Sequence, residues 1–186
     1  MRGIPKVHKT GVPMRPITSG IGSAPHRLAK ILAKPLTKLL GSISNSHLKN
    51  SGDLLNRLNE LDFSDKKMAS FDVKALFTNV PVKGAMQAIG RAIKDIPTEE
   101  FPVPKSHFMK LVEFCLDFQA FAFNDEEFAQ VNGLAMGSPL SPVAACLYME
   151  MLEKEHFKGI LGTANVWLRY VDDGFVLVPD ELDLEE

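Results

Sequence analysis

An α+β fold, an antiparallel sheet with helices on one face, is predicted from three observations. From Lys67 onward the chain reads strand, helix, helix, hairpin, helix, strand, strand, an order that suits such a sheet. Apolar residues make up 45% of the 186, enough for one core. Two acidic landmarks, Asp72 in FDVKALFTNVP and Asp172-Asp173 in RYVDDGFVLV, end short apolar stretches that read as buried strands. They lie 100 residues apart, and a split β-α-β sheet can bring such strand ends side by side.

Each element has its own signal. Residues 3–20, rich in Gly and Pro, read as loops and short extended pieces. Ser23 is placed to cap a helix over Ala24–Leu40, with Pro25 in its first turn and Pro35 interrupting or kinking it. After the polar loop that follows Gly41, a shorter helix is expected over Asp53–Leu61. Lys67–Val73 reads as a strand running into a turn. Lys83–Lys94 has helical spacing, with Ala85, Met86, Ile89 and Ile93 toward a core. Another helix is predicted over Lys105–Phe118. Two aromatic strands around Asn124-Asp125 form a hairpin signature. A small-residue loop, Gly133–Pro142, feeds a long helix over Pro142–Phe157. Val166–Tyr170 and Gly174–Val178 then flank Asp172-Asp173 as a hairpin.

The net charge of −2 conceals an asymmetry. Residues 1–52 hold nine Lys and Arg and no Asp or Glu; the remainder holds twelve basic and all 23 acidic residues, a charge of −11. A basic segment is the expected footprint of phosphate binding, although a solvated basic helix has the same composition. The acidic DELDLEE end reads as a frayed, solvated tail. No run approaches the roughly 18 apolar residues of a membrane span, and MRGIPKVHK lacks the apolar centre of a signal peptide. Cys115 and Cys146 fall in apolar helical patterns without metal-ligand spacing, so reduced core thiols in an intracellular protein are expected.

Four elements point to chemistry. A carboxylate at the end of a buried strand is costly unless compensated, and a divalent cation compensates it well. Asp72 fits that role, although an Asp there also serves simply to cap a turn. Phe77, five residues on, can turn back over whatever Asp72 holds and meet a sugar ring, or take an ordinary core position. At Asp172-Asp173 the adjacent carboxylates repel, and a cation removes the penalty; an Asp-Gly hairpin turn without function is the alternative. In GLAMGSPLSPVAACLYMEML, small residues let backbone approach a ligand, and the following helix offers unpaired N–H groups to a phosphate or base pair. The plain alternative is a loop capped by Ser141 with Pro142 in the first helical turn. Finally, Lys9 and Arg15 bracket a turn at Thr10-Gly11 in GIPKVHKTGVPMRPITSG, a basic hairpin able to clamp a triphosphate. His8 reads as an ordinary polar contact.

Their order is more informative than any one of them. Basic loop, strand-Asp, Gly-Ser-Pro loop with helix, and Tyr-x-Asp-Asp hairpin together resemble the fingers and palm of reverse transcriptases. The strings FDVKALFTNVP, AMGSPLSPVAA and RYVDDGFVL resemble Penelope-like retroelement reverse transcriptases, relatives of telomerase catalytic subunits, and the likeness runs from about Gly3 to Val178. It implies fingers over residues 1–66 and a palm over 67–186, with about 100–132 as an insertion packing on the fingers. It implies Mg²⁺, with Mn²⁺ as a substitute, held by Asp72 and Asp172 with Asp173 in support and the Val73 carbonyl completing the nucleotide-side ion. Phe77 takes the position of the steric gate against a ribose 2′-OH. Lys9 and Arg15 would hold the triphosphate, with Met136 and Gly137 at the nucleotide and its base pair. Tyr170, Val171, Ser138 and Pro139 would lie along primer and template. An RNA template, a DNA primer and dNTPs are the implied partners, and the nucleus is the expected location.

The resemblance also shows departures. Many reverse transcriptases carry Gln where this chain has Met136. Thirteen residues follow Asp173, so the chain is expected to lack the further palm helix, primer grip and thumb with which the family continues, and the GIY-YIG nuclease domain that many members carry. A fragment of a retroelement polyprotein, or a degenerate copy, is therefore expected. The leading expectation is an RNA-directed DNA polymerase core; a catalytically inactive nucleic-acid-binding remnant is the alternative. A nucleotide cyclase shares the palm sheet and two metals, but the basic segment and AMGSPLSP argue against it.

Overall fold

A computed structural model describes residues 2–5, 7, 10–12, 14–18, 21–124, 126–157 and 166–181. The chain opens with an antiparallel pair, β1 (Arg2–Pro5) and β2 (Met14–Ile17), turning through Gly11 at φ 77°. Helices α1 (Ala24–Thr37) and α2 (Ser51–Leu58) follow. Next come β3 (Lys66–Asp72), the short α3 (Leu76–Asn79), α4 (Val82–Ile93) and α5 (Lys105–Asp117). The pair β4 (Ala120–Phe123) and β5 (Glu126–Ala129) precedes α6 (Ser141–Leu152), which runs into a π-helical turn over Glu153–Phe157. Strands β6 (Val166–Tyr170) and β7 (Asp173–Pro179) complete the described fold.

The predicted α+β class is observed, with antiparallel pairing in all three sheets. The largest has the order β3-β7-β6, so the strand that begins at Asp173 is central. The outer edge of β6 is covered by residues 46–48: Arg169 donates its backbone N–H to Ser46 (2.7 Å) and accepts from Leu48 (2.8 Å).

The core is built by α6, apolar around nearly its whole circumference and buried accordingly. Against it lies α4, whose small residues Ala85 and Ala88 are fully buried. The two helices meet so closely that a Cβ on Gly84 would lie 2.5 Å from the Tyr148 ring. Phe101 packs against Phe108 of α5, the ring centroids 4.9 Å apart and the planes tilted by 56°. Both cysteines are free and buried, and burial pushes the Cys115 thiol up to about 11. Among the described residues no helix is long and apolar enough to cross a membrane.

Several boundaries differ from expectation, each for a local reason. Helix α1 continues through Pro35 but stops at Thr37, not Leu40. Ser23 precedes it without a side-chain cap; its carbonyl instead accepts from His26 N–H at 3.2 Å. Helix α2 starts two residues early because Asn50 caps it, accepting from the Asp53 N–H at 3.0 Å. Ser141 is not a cap but the buried first residue of α6; Ser138 Oγ accepts the Leu140 N–H one step earlier, at 3.3 Å. In the β6–β7 hairpin the turn residues are Val171-Asp172, and Asp173 is already strand.

Candidate nucleic-acid and nucleotide site

Strand β3 brings Asp72 into register with Asp173 of β7. Cross-strand partners project to the same face of a sheet. The Val73 N–H donates to the Asp172 carbonyl at 2.9 Å, which makes Asp72–Asp173 a pair of the non-hydrogen-bonded type, the type with closer side chains. Tyr170 faces Asp173 from the other side in β6. Three of the predicted residues, Asp72, Asp173 and Tyr170, therefore share one face of one sheet end, and all three are exposed. Asp172, half-buried, sits in the adjoining turn.

Two carboxylates placed opposite each other destabilise a sheet. None of the ion pairs among the described residues involves Asp72, Asp172 or Asp173. Exposed carboxylate oxygens outside any of these ion pairs are the donor chemistry of Mg²⁺, so the Asp72–Asp173 pair suits such an ion. Among the described residues, however, no group of three or more His, Cys, Asp or Glu side chains is arranged to hold a metal.

The backbone is strained on both sides of this site. Ala75 lies in the left-handed region (φ 53°, ψ 42°) and turns the chain from β3 into α3. Val171 has φ 57°, an outlier for a β-branched residue that costs about 1–3 kcal/mol. Val73, Phe77 and Val171 all pack on the core, half-buried. Phe77, the proposed gate, is the second residue of α3, and its carbonyl accepts the Leu134 N–H at 2.6 Å.

The small-residue loop is tied in at three points. Gly133 (φ +76°) presses on α3: a Cβ there would lie 2.5 Å from Thr78 Cα and 2.7 Å from the Phe77 carbonyl oxygen. Gln119 Nε2 donates to the Gly133 carbonyl at 3.0 Å. The Met136 carbonyl accepts from Thr18, from its N–H at 3.1 Å and its Oγ1 at 3.4 Å. Thr18 immediately follows β2, so the basic N-terminal hairpin is fastened to this loop. Gly137 has φ 146°, a conformation that L side chains rarely adopt. Ser138 and Pro139 line a small cavity of about 40 Å³ beside His26 and Gln119. Met136, Thr18, Thr78, Phe121 and Gln130 line a larger groove of about 420 Å³.

The predicted triphosphate clamp is only partly located. The Arg15 backbone pairs with Ile4 in the β1–β2 ladder; Lys9 and His8 lie outside the described residues.

Sequence reasoning passed over Arg169, although it was quoted in RYVDD. It is fully buried. Its Nε donates to Glu153, its Nη1 to the Val171 carbonyl at 2.9 Å and its Nη2 to the Cys146 carbonyl at 3.3 Å. Ser46 Oγ donates to the other Glu153 oxygen. Burial alone would push the guanidinium down, but the Glu153 carboxylate outweighs it and holds Arg169 above its ordinary value. Glu150 is also buried, and accepts from the N–H groups of Gly41 (2.7 Å), Ile43 (3.2 Å) and Ser44 (3.5 Å). Burial pushes its carboxyl up, opposed by those three donors. The signal was available: two acids inside an otherwise apolar helix, and an Arg at an alternating position of an apolar strand.

Comparison with known proteins adds the following. The family model described as Reverse transcriptase (RNA-dependent DNA polymerase) matches residues 7–186. A search of curated proteins gives no significant match. Among solved structures, an apo telomerase of Candida tropicalis truncated from its C-terminal domain aligns with a TM-score of 0.62 and 17% identity, over 87% of this chain and 35% of that one. C. tropicalis telomerase in complex with a TWJ fragment of telomeric RNA gives 0.66 and 16%, over 88% and 30%. The corresponding C. albicans complex gives 0.65 and 12%, over 82% and 30%. At these identities the likeness shows the shared fold. The chain spans about a third of the length of these telomerases.

Proposed function

Since this chain belongs to the reverse transcriptase (RNA-dependent DNA polymerase) family, we propose that it is the fingers and palm portion of an RNA-directed DNA polymerase of a Penelope-like retrotransposable element. Residues 1–66 would be the fingers and 67–186 the palm, with about 100–132 an insertion. The observation that carries this reading is the pairing of Asp72 with Asp173 at one sheet end, beside a turn that holds Asp172.

In the proposed reaction the primer 3′-oxygen attacks the α-phosphorus of a dNTP in line, and the bond to the pyrophosphate oxygen breaks. Asp72, Asp172 and Asp173, with the Val73 carbonyl, would hold Mg²⁺, or Mn²⁺ in its place. When bound, the ions supply the charge that lowers the hydroxyl pKa and stabilises the departing pyrophosphate. Lys9 and Arg15 would bind triphosphate oxygens. Phe77 would exclude a ribose 2′-OH, and Gly137, lacking a side chain, would let Met136–Pro139 approach the new base pair. Tyr170, exposed beside Asp173, and Val171 would meet the primer end. The basic first 52 residues supply phosphate contacts to the RNA template and DNA primer. The family resemblance supports action in the nucleus.

A second reading, a nucleic-acid-binding remnant without catalysis, is favoured by the lack of a three-ligand metal group among the described residues. Primer extension on an RNA template with Mg²⁺ separates the two, comparing this chain with a version extended by a relative's thumb. Template-directed incorporation that vanishes in Asp72→Asn supports the polymerase. Salt-sensitive nucleic-acid binding with no incorporation by either version supports the remnant.

A further inference from the structure

The Val171-Asp172 turn has a problem that its own residues do not solve. Val171 is β-branched and sits at φ 57°, where a valine has little intrinsic reason to stay. A two-residue turn of this kind would relax if nothing outside it intervened. Two hydrogen bonds from outside hold it. The Asp172 carbonyl accepts the Val73 N–H from β3 at 2.9 Å. The Val171 carbonyl accepts Nη1 of Arg169 at 2.9 Å.

Arg169 is suited to hold that turn still because every other part of it is fixed. Its backbone is bonded on both sides to residues 46–48. Its Nε is paired with Glu153, and its Nη2 reaches the Cys146 carbonyl in α6. Glu153 is nearly completely buried, and Ser46 donates to its second oxygen. Glu153 stands where α6 changes into the π-helical turn; such local departures from α geometry recur at functional sites. The strand partner opposite Arg169 is Gly174, and the Trp167 ring lies over the space that a side chain there would take. A planar fork of fixed, spaced donors reaches three acceptors that lie apart, which the compact ammonium of a lysine does not.

We propose that Arg169, oriented by Glu153, is the positioning residue that holds the strained Val171-Asp172 turn and so fixes the backbone beside the Asp72–Asp173 pair. It touches no substrate and acts only through the turn carbonyl. This rests on the polymerase reading for its purpose, but not for its geometry.

Two variants and two readouts test it on the full chain. Arg169→Lys keeps the charge facing Glu153 and loses the fork. The double variant Arg169→Met with Glu153→Leu removes the buried pair together, so neither charge is stranded; such replacements are often neutral for stability. The first readout is amide hydrogen exchange. Exchange at the Val73 N–H, which is bonded to the Asp172 carbonyl, is expected to quicken by about tenfold or more in both variants, while amides at the far end of β3 and β7 keep wild-type rates. The second is Mn²⁺ binding followed by electron paramagnetic resonance. Loss of an outer partner typically weakens a metal site by about 10–100-fold, and that drop is expected in both variants. Unchanged Val73 exchange in a folded variant overturns the proposal, as does full recovery of metal affinity in the double variant whenever its melting temperature recovers. Asp172→Asn is the separate control: if it binds Mn²⁺ as the wild type does, the metal reading of the site fails, and Val73 exchange still decides the role of Arg169.

Discussion

Replacing Asp173 by Asn is expected to stabilise the metal-free protein. The strand register sets Asp173 opposite Asp72, and the Val73-to-Asp172 bond makes this a closely spaced pair, with Cβ atoms about 4.5–5.5 Å apart. Charges about 5.5 Å apart repel by about 0.8 kcal/mol in water and about 3 kcal/mol at an effective dielectric of 20. Both side chains are exposed, so the lower end applies, and about 1 kcal/mol is expected. For a chain of this size that is a rise of about 2–4 °C in Tm. The assay is thermal unfolding by circular dichroism at low ionic strength, once with EDTA and once with millimolar Mg²⁺. In EDTA, Asp173→Asn should melt above the wild type, and the gap should shrink as salt screens the pair. In Mg²⁺ the order should reverse, because an ion bound only by the folded wild type adds about 2.7 kcal/mol at a hundredfold excess over its Kd. If Asp173→Asn melts at or below the wild type in EDTA, the repulsion is not there. If Mg²⁺ raises both proteins equally, the pair is not where the ion binds.

Gly133→Ala should cost about 1–3 kcal/mol or more, because its Cβ would overlap Thr78 and the Phe77 carbonyl and the residue has φ +76°; a wild-type urea midpoint would count against the fit. Burial and the neighbouring Arg169 charge push His47 below its ordinary value. The unfolded chain gains a proton near pH 6.5 and the folded chain only lower. The His47 contribution is thus whole above pH 6.5 and declines as the pH falls from there to the lowered value. His47→Gln should flatten that part of a stability–pH curve, and an unchanged slope would assign it elsewhere. Phe77→Val should raise ribonucleotide over deoxyribonucleotide incorporation in a primer-extending form; an unaltered preference would remove Phe77 from the gate.

The elements of the palm were legible in the sequence because each carries a local signal. Short apolar runs mark β6 and β7, helical spacing marks α4, and turn residues mark β4–β5. Even the facing of the two acidic motifs could be expected, since strand ends of a split sheet have few places to go. What local signals misplaced were ends and caps. Asn50 displaced Asp53 as the start of α2 through one side-chain bond, and the hairpin turn moved back one residue, making Asp173 a strand residue. That single step decides which carboxylate faces Asp72, because side chains alternate faces with a period of two.

Sequence alone determined the family, the order of its motifs and the residue types that meet at the site, because those follow from identity and spacing along one chain. Only the tertiary structure decided that Arg169 is a buried brace. Its partners, Ser46, Leu48, Cys146, Glu153 and Val171, come from three separate segments, and no periodicity within RYVDD names a hydrogen-bond partner in another helix. The same holds for Gly133, whose need for the absence of a side chain is set by Thr78 in α3. Contacts between segments distant in sequence are matters of packing, and packing is fixed only when the chain has closed on itself.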